Sequence, residues 1–360
     1  MIRYGLIGAG MMGQEHLRNL ALIEGAQAAA LADPDDGMRR AAAALAPGAA
    51  TFAEAGDLLS AGLCDALIVA APNDLHLPLM LQATQAGLPI LCEKPLGLTA
   101  AECARIEAAA TAPVWVAMEY RYMAPVARLL ELSRRGEAGR LRMLSIREHR
   151  FPFLDKVGDW NRFNARTGGT LVEKCCHFFD LMRLILDAEP RRVFASGGVD
   201  VNHRDERYDG RAPDILDNAY VVVEFEGGAR AMLDLCMFAE GSEWQEVVSA
   251  AGDLARIDAM VPGPARFSAD GREREAKVVV SRRDKRVTEE TPQVDPRILR
   301  AGDHHGATYY QHAAFARMLR EGGAPEVGLR DGRIAVAVGE AAERSVREGR
   351  VVDLPAEALA

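Results

Sequence analysis

Glu173 and His177 stand four residues apart in the run Gly168-Gly169-Thr170-Leu171-Val172-Glu173-Lys174-Cys175-Cys176-His177-Phe178-Phe179-Asp180. On a single helix that spacing puts carboxylate and imidazole on one face, with Asp180 three residues further along. A histidine so placed can take up a proton while a carboxylate holds its ring. The plain alternative is a buried histidine capped by Asp180. Earlier in the chain, Cys92-Glu93-Lys94-Pro95 closes an apolar run, so Lys94 projects an ammonium from a strand end beside a proline that fixes the exit path. An ammonium there can hydrogen-bond an oxygen that is losing a proton, whereas an isolated lysine is more often a surface residue.

A second group has the spacing of a phosphate cradle. Gly8-Ala9-Gly10-Met11-Met12-Gly13 is G-x-G-x-x-G between an apolar run and a helical pattern. The first glycine permits a tight turn, the second lets the backbone approach a pyrophosphate, and the third lets helix and strand pack closely. The helix start adds free N–H groups. Asp33 ends the next apolar run, twenty residues after Gly13. There a carboxylate can accept hydrogen bonds from both ribose hydroxyls and would repel a 2'-phosphate. Pro34 follows, and with no arginine to neutralise such a phosphate NAD is expected in preference to NADP. In Ala71-Pro72-Asn73-Asp74-Leu75-His76, Pro72 could border the nicotinamide, while Asn73 or Asp74 also reads as a helix cap.

These residues need a scaffold. Apolar runs at 2–8, 26–33, 64–71, 89–93 and 114–118 read as strands, and helical spacing covers 12–24, 35–45, 75–86 and 99–110. Strands without polar alternation, separated by helices, imply a parallel sheet covered on both faces, with ligands at the carboxyl ends of its strands. Further on the rhythm changes: 140–150, 191–201, 219–225, 229–238, 247–251 and 277–281 predict strands in succession, hence an antiparallel sheet. Helices are expected over 123–135, 173–186, 307–321 and 332–348. The fold class is therefore α/β, with an N-terminal Rossmann dinucleotide-binding domain over 1–120 and a C-terminal α+β domain with an open, mainly antiparallel sheet over 121–360.

Composition narrows the partners. The 360 residues, 49% hydrophobic and 26% charged, suffice for two cores and exclude a disordered chain. Forty-three Lys and Arg against 52 Asp and Glu leave a net charge of -9, which argues against nucleic acid or an anionic bilayer. The six cysteines contain no C-x-x-C pair, and the chain opens directly into a strand, so a cytoplasmic protein with reduced thiols is expected.

Taken together, GAGMMG at Gly8 to Gly13, P-N-x-x-H at Pro72 to His76, E-K-P at Glu93 to Pro95 and the Gly-Gly then acid-x-x-x-His element at Gly168 to His177 resemble the Gfo/Idh/MocA family of oxidoreductases along essentially the whole chain. The resemblance implies NAD(P)-linked hydride transfer at a secondary alcohol of a sugar or cyclitol, with Lys94 and His177 in the chemistry. It extends the cofactor contacts to Met11, Met12, Pro72, Asn73, His76, Glu93 and Lys94. The acid before the histidine is commonly aspartate in the family; here it is Glu173, followed by Lys-Cys-Cys where small residues are expected.

In this reading His177 is the base, Lys94 stabilises the developing alkoxide, and Glu173 orients the imidazole or a neighbouring hydroxyl. Tyr120, Arg121, His149, Arg150, Trp160, Asn161, Arg162, His304 and His305 are further candidates to line a substrate pocket. A redox-neutral, NAD-dependent cleavage of glycosides and an inactive dinucleotide-binding sensor are the competing readings. No metal is expected, because adjacent Cys175 and Cys176 on a helix point about 100° apart. Consecutive apolar residues at Tyr220-Val221-Val222-Val223 and Ala231-Met232-Leu233 should make both faces of the second sheet apolar, and one uncovered face is expected to pair subunits into a homodimer or homotetramer.

Overall fold

A computed structural model describes residues 1–268, 270–272 and 274–355. Its first part runs β1 (Ile2–Ile7), α1 (Met11–Leu20), β2 (Ala26–Ala32), α2 (Asp36–Leu45), β3 (Ala50–Phe52), α3 (Ala55–Ser60), β4 (Ala66–Val69), α4 (His76–Ala83), β5 (Ile90–Cys92), α5 (Ala100–Ala109) and β6 (Val114–Val116). Local signals start the helices: the Asp35 side chain caps α2 by accepting from the Met38 N–H, and Thr99 caps α5 through the Glu102 N–H. The six strands pair in the order β3-β2-β1-β4-β5-β6, all parallel. The order reverses between β1 and β4, so a crevice opens beyond the ends of these two strands. The short β3 and α3, rich in Ala and Gly, carry too little apolar pattern to be read from sequence.

The second part contains α6 (Ala124–Arg134), β7 (Leu141–His149), α7 (Asn164–Thr167), α8 (Thr170–Glu173), α9 (Cys176–Leu186), β8 (Pro190–Gly198), β9 (Asn218–Phe225), β10 (Arg230–Cys236), β11 (Glu246–Gly252), β12 (Ala255–Val261), β13 (Lys277–Arg282), β14 (Val287–Glu290), α10 (Pro296–Leu299), α11 (Ala307–Glu321), α12 (Leu329–Glu348) and β15 (Val352–Asp353). Nine strands form one open sheet, β14-β13-β12-β11-β7-β10-β9-β8-β15, antiparallel except for the parallel pair β7 and β10. Helices α6, α9 and α12 pack on its inner face. The outer face presents Phe194, Val222 and Met232 as cross-strand neighbours, with Tyr220 and Met143 nearby, all exposed. The outer face is therefore mixed rather than apolar throughout: this patch sits among polar side chains such as Arg192, Glu224 and Asp234, which alternate with the buried positions. Among the described residues no helix is long and apolar enough to cross a membrane.

One expected helix is two. The run 173–186 breaks after Glu173, and Lys174 and Cys175 form a turn before α9. Glu173 and His177 therefore do not share one continuous helical face. The chain also returns to the first sheet: Phe315 of α11 packs between Tyr4 and Trp115, with ring centroids 6.2 and 5.9 Å away. Helix α12 touches both sheets, with Gly332 against Val116 and Gly339 against the Leu171 carbonyl.

Candidate active site

The glycine cradle lies at the β1–β4 reversal. Gly8 has φ +92°, and a Cβ there would lie 2.5 Å from the Ala70 carbonyl oxygen; one on Gly13 would lie 2.1 Å from that of Gly8. Around Gly10 nothing stands within 4 Å, so backbone is open to an approaching group. Met11 and Met12 begin α1, whose first turn holds no acidic side chain to offset its free N–H groups. Asp33 is anchored by the Ala9 N–H at 2.7 Å and the Asp35 N–H at 2.8 Å, each bond using one carboxylate oxygen and leaving further lone pairs. An arginine does stand nearby, contrary to the expectation drawn from Pro34. Arg39 donates to the Asp33 backbone carbonyl at 2.6 Å, and its guanidinium is also engaged by Asp36. These features fit a dinucleotide: glycine backbone where a pyrophosphate would lie, and a fixed carboxylate where a ribose would.

Three other cofactor candidates turn inward. His76 is fully buried with Nδ1 2.6 Å from the Pro95 carbonyl and Nε2 3.0 Å from that of Ala71, so its ring ties the exits of β4 and β5 together. Glu93 is buried against α1: Oε1 meets His16 Nε2 at 3.0 Å and Oε2 accepts from the Lys94 N–H at 3.1 Å. Asn73 reaches the Thr167 carbonyl at 3.4 Å. His76 and Glu93 thus spend their polar atoms on the scaffold, against the expectation of direct contact, whereas Asn73 uses only its amide nitrogen. Pro72 remains half-buried at the end of the strand that precedes them.

Lys94 and the Glu173–His177 segment meet across the crevice. Gly168 and Gly169 have φ +84° and +98°, and Glu343 of α12 packs into the space at Gly169 while accepting from the Leu171 N–H at 2.9 Å. This holds α8 in place. The break after Glu173 then frees its carbonyl oxygen, which accepts from Lys94 Nζ at 3.1 Å. Burial opposes the Lys94 charge, but Cys176, Glu173, Glu93 and Glu119 outweigh it and raise its pKa. Burial raises the Glu173 carboxyl, and its Oε2 has no hydrogen-bond partner. His177 Nδ1 is likewise buried without one. Burial, then Lys94, Lys174, His304 and Arg150, hold His177 well below the ordinary imidazole range, so its ring is neutral. Neither carboxylate of the segment holds that ring. Asp180 is instead clamped by Arg121, at 2.6 Å from Nε and 2.5 Å from Nη2. The imidazole stacks on Tyr120, with centroids 4.1 Å apart and planes 5° apart.

Of the remaining candidates, Tyr120, Arg150 and His304 converge here. Arg150 bonds Glu148 at 3.2 Å and lies over the Phe151 ring. His304 Nδ1 lies 2.8 Å from Glu15 and 3.7 Å from Glu119, and the Thr308 hydroxyl, with one proton to give, lies between both acids at 2.9 and 3.0 Å. The others serve elsewhere. Arg121 is consumed by Asp180; His149 points to the outer sheet face and pairs with Asp234 at 3.1 Å; Arg162 is buried with Asp155 and Glu206. Asn161 donates to the Leu154 carbonyl at 2.9 Å, Trp160 is packed under the Lys156 ammonium, and His305 stands in the loop before α11 with φ +50°. Sequence reasoning missed Glu15, Glu119, Glu148, Lys174 and Glu246, all buried. Only Lys174 carried a signal, as a charge where small residues were expected. Among the described residues no group of His, Cys, Asp and Glu could hold a metal ion.

Comparison with known proteins agrees with this arrangement. Residues 2–120 match the model of an oxidoreductase family's NAD-binding Rossmann fold, and 131–354 match that family's C-terminal alpha/beta domain. The chain is 35% identical over 191 residues to the rhizopine catabolism protein MocA of Rhizobium meliloti, covering 52% of this chain and 58% of that one. It is 28% identical to a myo-inositol 2-dehydrogenase of Thermotoga maritima over 98% of both chains. Relatives matched at 35 to 43% identity are spanned over only 31 to 58% of their lengths. A crystal structure of a probable dehydrogenase from Thermotoga maritima superposes with a TM-score of 0.78 at 25% identity, covering 98% of this chain and 99% of the other.

The Glu15–His304 pair makes stability depend on alkaline pH. Burial opposes the His304 charge, but Glu119 and Glu15 outweigh it and raise the imidazole to about 9, while Glu15 is held down to about 2. A raised pKa contributes stability fully present below the unfolded value near 6.5 and lost as pH rises through about 9. His304→Gln should cost about 1–3 kcal/mol at pH 6 and much less at pH 9.5. Urea denaturation of both proteins at the two pH values checks this, and parallel losses would remove the ion pair from the account.

Proposed function

Because this chain belongs to the Gfo/Idh/MocA family of oxidoreductases, we propose that it is an NAD-dependent dehydrogenase acting on a secondary alcohol of a sugar or cyclitol. The observation that carries the reading is the meeting of Lys94 with the Glu173 carbonyl beside a neutral His177, at the carboxyl ends of a sheet with a glycine cradle. A relative named myo-inositol 2-dehydrogenase, aligned along the whole chain, supports the cyclitol class.

Bound NAD supplies the hydride acceptor at the carbinol carbon. The backbone from Gly8 to Gly13 and the start of α1 hold the pyrophosphate, and the free lone pairs of Asp33 accept from the ribose hydroxyls. Lys94 exchanges its bond with the Glu173 carbonyl for one with the substrate oxygen and stabilises negative charge there. His177, kept neutral by burial and the neighbouring cations, accepts the hydroxyl proton. The unpartnered Glu173 Oε2 accepts from a second substrate hydroxyl rather than orienting the imidazole. The division into 1–120 and 121–360 follows the change from parallel to mixed sheet, and the free thiols fit a cytoplasmic location. The exposed apolar patch on the outer sheet face is assigned to subunit pairing.

With a panel of inositols and monosaccharides monitored by NADH absorbance, Lys94→Ala and His177→Ala should each lower kcat on the order of a hundredfold or more while NAD affinity stays within about twofold. Near-normal turnover of His177→Ala would require another base. Calorimetry should give tighter binding of NAD than NADP, with Asp33→Ser narrowing the gap; equal affinities in the unmodified protein would overturn the ribose assignment. Light scattering should return a dimer or tetramer, and a 39.0 kDa species at micromolar concentration would count against pairing through the sheet.

A further inference from the structure

Lys174 is an uncommon residue to bury, and it lies immediately after the acid of the proposed site. Its ammonium stands 2.5 Å from the Tyr120 hydroxyl and 2.9 Å from Glu148 Oε1, and lies 4.7 Å from the centre of the Tyr120 ring. Charge compensation alone does not explain it. Glu148 already has Arg150 at 3.2 Å, and the shorter of the two lysine contacts is to the phenol. That phenol ring is the one stacked 4.1 Å from His177 at 5°. The imidazole Nδ1 makes no hydrogen bond, so the usual device of a carboxylate on that nitrogen is missing.

We propose that Lys174 is a positioning residue for His177 and acts through Tyr120: anchored on Glu148 of β7, its ammonium pins the phenol, and the phenol ring fixes the plane of the imidazole. Three separate elements are thereby locked together: the turn after β6 that carries Tyr120, the turn between α8 and α9 that carries Lys174, and the inner face of β7. Glu246, directly opposite Glu148 on β11, completes the buried surroundings and accepts from Gln245 at 2.6 Å. The charged or titratable groups that face His177 are Lys94 from the end of β5, Lys174, Arg150 from the segment after β7, His304 from the segment before α11, and Tyr120 itself. Removing one cation from this set favours protonation of the imidazole.

The role rests on the proposed function, since a base is needed only if an alcohol is oxidised, but its test does not need a substrate. Histidine-ring NMR titration of the full chain, with His177 identified by its absence in His177→Gln, reads the ring directly. Lys174→Met should raise the His177 pKa and change the ring-current shift given by Tyr120. Tyr120→Phe should leave the cation and alter the shift, and Lys174→Arg should restore the pH behaviour. With the best substrate found, kcat of Lys174→Met and Tyr120→Phe should fall on the order of tenfold with KM for NAD unchanged. If Lys174→Met does not fold, Tyr120→Phe decides. Unchanged His177 resonances and kcat in these variants would overturn the proposal. A chain that oxidises no polyol, yet shows the NMR changes, would strike the proposed function and leave the positioning role standing.

Discussion

A carbonyl oxygen released from a helix must find another donor, and at Glu173 that donor is the ammonium of Lys94, 3.1 Å away. The bond joins the end of a strand in the first sheet to the end of a helical turn packed on the second. It requires the helix to stop after Glu173, while α12 holds the start of that turn from outside: Glu343 accepts from the Leu171 N–H and Gly339 lets the helix lie against the Leu171 carbonyl. The segment of the proposed proton acceptor and the proposed hydrogen-bond donor to the alkoxide are joined through one unmade backbone bond.

Around this joint the protein buries an unusual number of ionisable groups and pairs most of them. Glu93 faces His16, which in turn lies 2.9 Å from His312, and Glu15 and Glu119 share His304 and Thr308. Each carboxylate removed from water needs such a partner, because an unpaired buried charge costs several kcal/mol. The pairs link α1, the strand carrying Glu93, the turn after β6 and α11. The glycine cradle is thus held from behind by the same groups that border the proposed reaction centre. Glu173 Oε2 and His177 Nδ1, at that centre, are among the buried atoms left without a hydrogen-bond partner, as are Glu148 Oε2, Glu246 Oε2 and His312 Nδ1.

What the sequence made legible follows from how local each constraint is. Gly8 and Gly13 were readable because their demands, a positive φ and a contact no Cβ can survive, are met within one strand–turn–helix unit. Asp33 and Lys94 were readable as strand ends. The shared face of Glu173 and His177 was not, because i to i+4 spacing presumes an unbroken helix and the chain turns at Lys174 and Cys175. His76 and Arg121 misled for a related reason: a polar side chain near a site looks the same in sequence whether it faces a ligand or a backbone carbonyl. Tyr120 reads from sequence only as a candidate for the pocket, because its partnership with Lys174 depends on the fold that brings two turns onto one strand.

Helix α12 carries a mechanical consequence. Gly332 lets it lie against Val116 of the first sheet, where a Cβ would be tight at 3.0 Å, and Gly339 lets it lie against the carbonyl of Leu171, where a Cβ would collide at 2.6 Å. A rod seated at two such points resists shear between the bodies it touches, since sliding either one forces its surface into the glycine notch. Sliding one part past the other would therefore have to lift α12 from one of its two seats.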